Sequence, residues 1–377
     1  MTIYDFIYAQ ITKTPDATAI IFGNKKLTYG QIGNAVKNYS SHLQEYGIAQ
    51  SDIVGISLDR SPEMIIAMLA ISKLGATYLP LDPAFPVNRL EYMLNDSGAR
   101  FLVTEKKLER IFTGFAGKIL CREDINTNYS EDPGTFGNED SRAYLLYTSG
   151  STGNPKGVQI NQGSLINFLL SMKETPGFNS RDRLLAITTI SFDISGLEIY
   201  LPLITGGTVE IVTKEESIDG KILLEKLKES TVFQATPATF KLLIESGWNE
   251  KLHLKALCGG ESLSVDLASK ILERVDELWN MYGPTETTIW SSCAKVENGK
   301  SIHLGKPIKN TQFYVKDENN NFCAPGVPGE LLIGGAGLSS GYLNNDELTL
   351  QKFIKNPFDK TGNSKVYRTG DLVKINN

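Results

Sequence analysis

Apolar residues fall in short runs along this chain, and the runs are separated by stretches in which apolar positions recur every third or fourth place. Residues 52–82 give the clearest case. "DIVGISL" from Asp52 reads as a buried strand. "SPEMIIAMLAISKLG" then offers Ser61 as N-cap, Pro62 at the first helical position and Gly75 as the stop. "ATYLPLD" returns as a second strand, and a strand–helix–strand unit implies a parallel pair. Further strands are predicted at 100–104, 143–148, 184–188, 208–212, 231–235, 254–258 and 277–281. Helical patterns such as "DGKILLEKLKES" and "SVDLASKILERV" lie between most of them. This rhythm predicts α/β layering to about residue 290. From 311 to 375 the texture changes to short strands with turn residues, which predicts a smaller β-rich unit, a distorted barrel. The polar segment 129–142, "YSEDPGTFGNEDSR", is expected to be exposed.

The chain has 377 residues, enough for two or three compact units. Its net charge of −5 argues against a nucleic-acid or anionic-membrane surface. Cys121, Cys258, Cys293 and Cys323 lie far apart, and with His42, His253 and His303 they assemble no zinc-ligand spacing. A reducing, cytoplasmic setting is expected. The longest apolar run, "MIIAMLAI" from Met64, is too short to span a bilayer, and the N-terminus does not read as a signal peptide.

Candidate chemistry centres on "YTSGSTGNPKGV", from Tyr147 to Val158. It is not the P-loop GxxxxGK[ST]. Pro155 precedes Lys156, Gly157 follows it in place of the Mg²⁺-binding hydroxyl, and the next residues read as strand rather than helix. Thr148, Ser149, Ser151 and Thr152 can donate hydroxyls, Gly150 and Gly153 let the backbone curl, and Lys156 adds a point charge. That set suits the β- and γ-phosphates of ATP. The bland alternative is a Gly/Ser surface turn.

The stretch is not alone. It resembles the signature loop of the adenylate-forming superfamily, which includes acyl-CoA synthetases, luciferases and nonribosomal peptide synthetase adenylation domains. Further motifs of that family follow in order: "LTYGQI" at 27, "KLGATYLPLD" at 73, "FDIS" at 192, "NMYGPTETT" at 280, "GELLIGGAGLSSGYL" at 329 and "YRTGDL" at 367. The chain looks most like the N-terminal core of an amino-acid adenylation domain. The resemblance implies an α/β fold with two layered subdomains over 1–300 and a β-rich subdomain over 301–377.

It also implies a reaction: a carboxylate and ATP give acyl-AMP and pyrophosphate, which needs positioning and charge neutralisation but no general base. By the resemblance, Lys156, Thr285 and Glu286 carry the chemistry, with Glu286 holding Mg²⁺ and Thr285 on the α-phosphate. Tyr282 would lie against adenine, Asn280, Gly260, Glu261 and Gly283 would sit about it, and Asp371 would accept from the ribose hydroxyls. Asp193 would pair with a substrate ammonium, since a buried carboxylate without a partner is costly; helix capping by Asp193 or Ser195 is the alternative. The side-chain pocket would be lined by Ile194, Leu197, Ala235, Leu257, Gly259, Met281, Ile289 and Trp290, with Gln234 a second candidate for the Ala235 slot. The bulk of Met281, Ile289 and Trp290 points to a small amino acid, glycine before alanine or serine. A carrier-protein thiol would receive the product. A D-alanine–carrier protein ligase, an acyl- or aryl-CoA synthetase core and a non-catalytic adenylate-binding fragment are the alternatives.

Cys258, His253 and His303 are expected to be structural, and Arg368 to steady Asp371. Gln31 stands where the family usually has Glu, and Ser340 where it usually has Arg. The chain stops five residues past "YRTGDL". Family members continue there with a mobile C-terminal subdomain carrying a lysine to the substrate carboxylate. The resemblance therefore implies a core without its lid and with impaired turnover.

Overall fold

The computed structural model describes every residue but 127, 128, 130, 150–154, 360 and 377. Three sheets organise it. A six-stranded sheet runs Lys118–Cys121, Phe101–Thr104, Ile53–Ile56, Thr77–Pro80, Arg142–Thr148 and Lys156–Asn161, parallel except for its last pair. A nine-stranded sheet runs Lys306–Pro307, Ser292–Lys295, Glu277–Tyr282, Lys255–Gly259, Val232–Ala235, Arg183–Ala186, Thr208–Ile211, Thr18–Phe22 and Lys25–Thr28, with a parallel centre and antiparallel edges. Thr311–Lys316, Gly329–Gly335, Lys365–Val373 and Phe353–Lys355 form a curled antiparallel sheet of four strands. The α/β class with a smaller β-rich unit, expected from the residue pattern, is the class observed.

Local chemistry explains the elements. The helix Pro62–Lys73 starts where Ser61 Oγ accepts the Met64 amide at 3.2 Å and ends at Gly75, whose φ of +67° suits glycine. Every residue of that helix but Glu63 is buried. It lies within a layer shared by both large sheets, where Val54 and Ile56 of one sheet and Leu184, Val209 and Leu257 of the other join a single apolar core. A second core covers the far face of the nine-stranded sheet beneath the helices Gly220–Leu227, Pro237–Glu245 and Val265–Leu272. A third lies under the helix Val87–Ser97. Gln31 closes a capping box with Thr28, receiving the Thr28 amide at 2.9 Å, so Gln serves there as Glu would.

The described part of segment 129–142 is mostly exposed, yet it is pinned. Buried Lys73 donates to Asp132 Oδ1 at 2.6 Å and to the Gly134 carbonyl at 2.7 Å. Among the described residues, no helix is long and apolar enough to cross a membrane.

Candidate active site

The strands Arg142–Thr148 and Lys156–Asn161 form a hairpin in which Thr148 and Lys156 are register partners. The loop of the signature stretch therefore joins two strands, unlike the strand-to-helix turn of a P-loop. Its Gly150, Ser151, Thr152 and Gly153 lie outside the described residues. Thr148 Oγ1 is buried without a hydrogen-bond partner among the described residues, an open donor at the root of the loop. Thr148 and Ser149 line a cavity of about 560 Å³, which also touches Ile194, Ala235 and Thr285.

A strained turn brings the next group in. After the strand Glu277–Tyr282 the chain makes a single 3₁₀ turn, Thr285–Thr287, and then places Thr288 and Ile289 at φ +65° and +66°. Two consecutive β-branched residues in the left-handed region are costly and persist only where their surroundings hold them. Here Thr288 Oγ1 donates to the Gly337 carbonyl at 2.7 Å, and the Ser291 amide donates to the Tyr282 carbonyl at 2.8 Å. Gly283 has no room for a side chain: a Cβ would lie 2.4 Å from the Ile289 carbonyl oxygen.

The turn presents Glu286, only 6% exposed, to Lys156, whose Nζ donates to Glu286 Oε1 at 3.2 Å. The Tyr342 hydroxyl donates to the same oxygen at 2.6 Å, and the Lys156 ammonium sits 4.6 Å from the Tyr342 ring centroid. Among the described residues, no group of three or more His, Cys, Asp or Glu could hold a metal. A single carboxylate, Glu286, would suit a hard cation such as Mg²⁺, which keeps waters and ligand oxygens as its other ligands.

A second cavity, of about 550 Å³, opens at the carboxyl ends of the strands Lys255–Gly259 and Glu277–Tyr282. Open α/β sheets bind ligands at such edges. Gly260, Glu261, Asn280, Tyr282, Gly283 and Asp371 all line it. The Tyr282 hydroxyl donates to Asp371 Oδ2 at 2.5 Å, which fixes the tilt of the ring, and burial pushes its pKa up. Asn280 Nδ2 donates to the His303 carbonyl at 2.9 Å. Arg368 does not steady Asp371 as expected. It clamps Glu330 with two bonds of 3.2 and 2.9 Å, across a stretch where the strand register shifts between Arg368 and Leu372.

Asp193 stands just before the helix Ser195–Thr205, yet neither it nor Ser195 caps that helix: the cap position is Ile194, without a side-chain bond. The Thr285 hydroxyl and the backbone amides of Ile194 and Asp193 face the Asp193 carboxylate and favour its charged form. Burial pushes it up to about 6, and nearby Glu286 adds to the effect. No cation partners it among the described residues.

Strand register sorts the pocket residues. Gln234 pairs with Leu257 and Gly259 with Met281, whereas Ala235 pairs with Cys258. Leu257 and Met281 pack with Ile194, Leu197, Ile289 and Trp290, while Ala235 packs with Cys258 in the core on the opposite face. Of the two candidates for that slot, Gln234 is the one beside the other pocket residues, and Ala235 lines the neighbouring cavity. Gln234 is fully buried. It accepts the Trp290 indole N–H at 2.9 Å and donates to the Ile194 carbonyl at 2.8 Å and to Glu198 Oε1 at 3.1 Å. Trp290 lies hard against Gly259, where a Cβ would come within 2.6 Å of the indole Cη2.

Burial and local contacts account for Cys258 and His253. Burial pushes the Cys258 thiol up to about 12, far from a reactive thiolate. His253 meets Asp276 at 3.1 Å. Ser340 donates to Asn161 Oδ1 at 3.0 Å.

The AMP-binding enzyme family matches residues 7–343. A PKS-NRPS hybrid synthetase acdB from Aspergillus candidus is 40% identical over 367 residues, covering 95% of this chain and 15% of the relative. A dimodular nonribosomal peptide synthase from Bacillus subtilis is 38% identical, covering 99% of this chain and 16% of its own length. This chain thus spans about one sixth of these relatives. Among solved structures, the four-domain nonribosomal peptide synthetase holo-AB3403, bound to AMP and glycine, is 40% identical with a TM-score of 0.91, covering all of this chain and 28% of that one. The Klebsiella oxytoca NpsA N-terminal subdomain, in complex with 3-hydroxybenzoyl-AMSN, is 27% identical with a TM-score of 0.90. It matches all of this chain and 97% of the subdomain.

Proposed function

The chain belongs to the AMP-binding enzyme family, and on that premise we propose that it is an amino-acid adenylation core that activates a small amino acid, glycine first. Asp193 carries the reading. A buried carboxylate with no cation of its own, one hydroxyl away from the turn that bears Glu286, is a socket for an α-ammonium. The substrate carboxylate would then reach the phosphate side, and the side chain would point at Trp290. The indole pressed on Gly259 leaves no space for even a methyl group at that position, which favours a small substrate side chain. The solved relative that holds AMP and glycine at 40% identity supports the same choice.

In the proposed reaction a carboxylate oxygen of the amino acid attacks the α-phosphorus of ATP. A P–O bond forms, the bond to pyrophosphate breaks, and pyrophosphate leaves with the electron pair; no proton has to move. Lys156, with the hydroxyls of Thr148, Ser149, Ser151 and Thr152 and the backbone of Gly150 and Gly153, would hold the leaving group. The incoming ammonium would displace the Thr285 hydroxyl from Asp193 and free it for the α-phosphate. Glu286 would hold Mg²⁺, which supplies charge neutralisation across the phosphates. Tyr282, Asn280, Gly260, Glu261, Gly283 and Asp371 would bind adenosine. The aminoacyl group would then pass to the thiol of a peptidyl carrier protein; a relative fused to such a carrier has a TM-score of 0.91 to this chain.

The test is a thermal-shift series with non-hydrolysable glycyl, alanyl, leucyl and benzoyl adenylate analogues. The glycyl analogue should stabilise the chain most, and Trp290→Ala should transfer that preference to the leucyl analogue. Greatest stabilisation of the unaltered chain by the leucyl or benzoyl analogue overturns the assignment.

A further inference from the structure

Tyr342 lies between the curled-sheet strands Gly329–Gly335 and Phe353–Lys355, far along the chain from the two motifs it touches, and its contacts are specific. Its hydroxyl donates to Glu286 Oε1 at 2.6 Å and lies 3.2 Å from Lys156 Nζ. Its ring lies beneath the same ammonium and packs edge-on against Phe353 at 5.8 Å. The backbone is fixed as well: the Tyr342 amide donates to Thr349 Oγ1 at 3.0 Å, and the residue bridges Val158 on the strand that begins with Lys156. Lys156, Tyr342 and Glu286 thus close a three-membered ring of hydrogen bonds, all part-buried or buried.

We propose that Tyr342 is a positioning residue, which holds the Glu286 carboxylate in place for a divalent cation when Lys156 turns from it to phosphate. The inference rests on the adenylation reading above. Lys156 cannot give its full charge to both Glu286 and an incoming triphosphate. Once it turns to the phosphates, Glu286 remains buried and needs another donor to hold its rotamer. The Tyr342 hydroxyl is already in place and need not move, because its backbone and ring are anchored independently of Lys156. Its hydrogen bond to a carboxylate is of the charge-assisted kind. The ring itself offers Lys156 a second, weaker resting place.

Tyr342→Phe removes the hydroxyl and keeps the ring. Binding of AMP, and of AMPPNP with increasing Mg²⁺, is measured by calorimetry on the unaltered chain and on Tyr342→Phe, Glu286→Gln and the double variant. Tyr342→Phe should weaken Mg²⁺-AMPPNP by about tenfold, the scale of one charge-assisted bond, and raise the Mg²⁺ concentration for half-saturation. AMP affinity should stay within about twofold. In the Glu286→Gln background the same change should cost less than about twofold, since the two groups act as a unit. Equal losses for AMP and Mg²⁺-AMPPNP, or full additivity in the double variant, overturn the proposal. An unaltered chain that binds neither nucleotide overturns the adenylation reading instead, and a Tyr342→Phe chain that melts early is still scored by its AMP-to-Mg²⁺-AMPPNP ratio.

Discussion

At the scale of the residue, Asp193 carries a cost that only a cation removes. Burial raises it from an ordinary aspartate value to about 6, so between about pH 4 and 6 the folded chain keeps a proton that the unfolded chain has released. Stability from this group is therefore greatest at low pH and falls as pH rises through 6, because above that the charge is buried bare. Asp193→Asn should stabilise the chain without ligand at pH 8, and the gain should be smaller at pH 5 by about 1.4 kcal/mol. Urea melts at the two pH values measure it. An ammonium ligand needs the ionised form, so affinity for a glycyl-adenylate analogue should fall as pH drops below about 6. The asparagine variant should bind weakly and without that slope; an unchanged slope would assign the titration to another group.

At the scale of the element, the turn 283–290 does most of the positioning. It carries Glu286 to Lys156 and Ile289 and Trp290 to Leu257 and Met281, and its path depends on Gly283 lying against the Ile289 carbonyl. Gly283→Ala should push that turn outward. The expected outcome is loss of both nucleotide and aminoacyl-adenylate binding, with a destabilisation of about 1–3 kcal/mol in the range of local backbone strain. Ligand titration alongside urea denaturation separates the two, and retained binding would mean that the turn accommodates a methyl. How much of this was legible in the sequence depends on the kind of contact. The strand–helix alternation and the cap at Ser61 are local and could be read directly, and Lys156, Glu286 and Asp193 were carried by motif resemblance. The choice between Gln234 and Ala235 was not legible, because a slip of one residue along a strand turns a side chain to the other face. Tyr342 was invisible as a site residue for a different reason. Its partner Glu286 lies 56 positions away in the chain, and only the packing of separate sheets brings the two together.

At the scale of the whole molecule, segment 336–343 joins the three sheets. The Ser339 amide donates to the Glu286 carbonyl, and Gly337 accepts from Thr288, which ties the segment to the turn leaving the nine-stranded sheet. The Ser340 amide donates to Gln159, while Gly341 and Gly157 accept from Gln159 and Leu343, which extends the edge strand of the six-stranded sheet. The strand Gly329–Gly335, just before the segment, belongs to the curled sheet. A ligand that draws Lys156 and Glu286 to its phosphates therefore pulls on one strap with anchors in all three sheets. Native-state hydrogen exchange should show this as joint protection: AMPPNP with Mg²⁺ should slow exchange at the amides of Ser339, Ser340 and Leu343 together with Gln159 and Ser291. The buried helix Pro62–Lys73, remote from the strap, should keep its exchange unchanged. Protection confined to Gly260, Asn280 and their neighbours in the second cavity would mean that the sheets respond independently. The strap would then be packing alone, and the three-sheet junction would not be what couples phosphate binding to the substrate pocket.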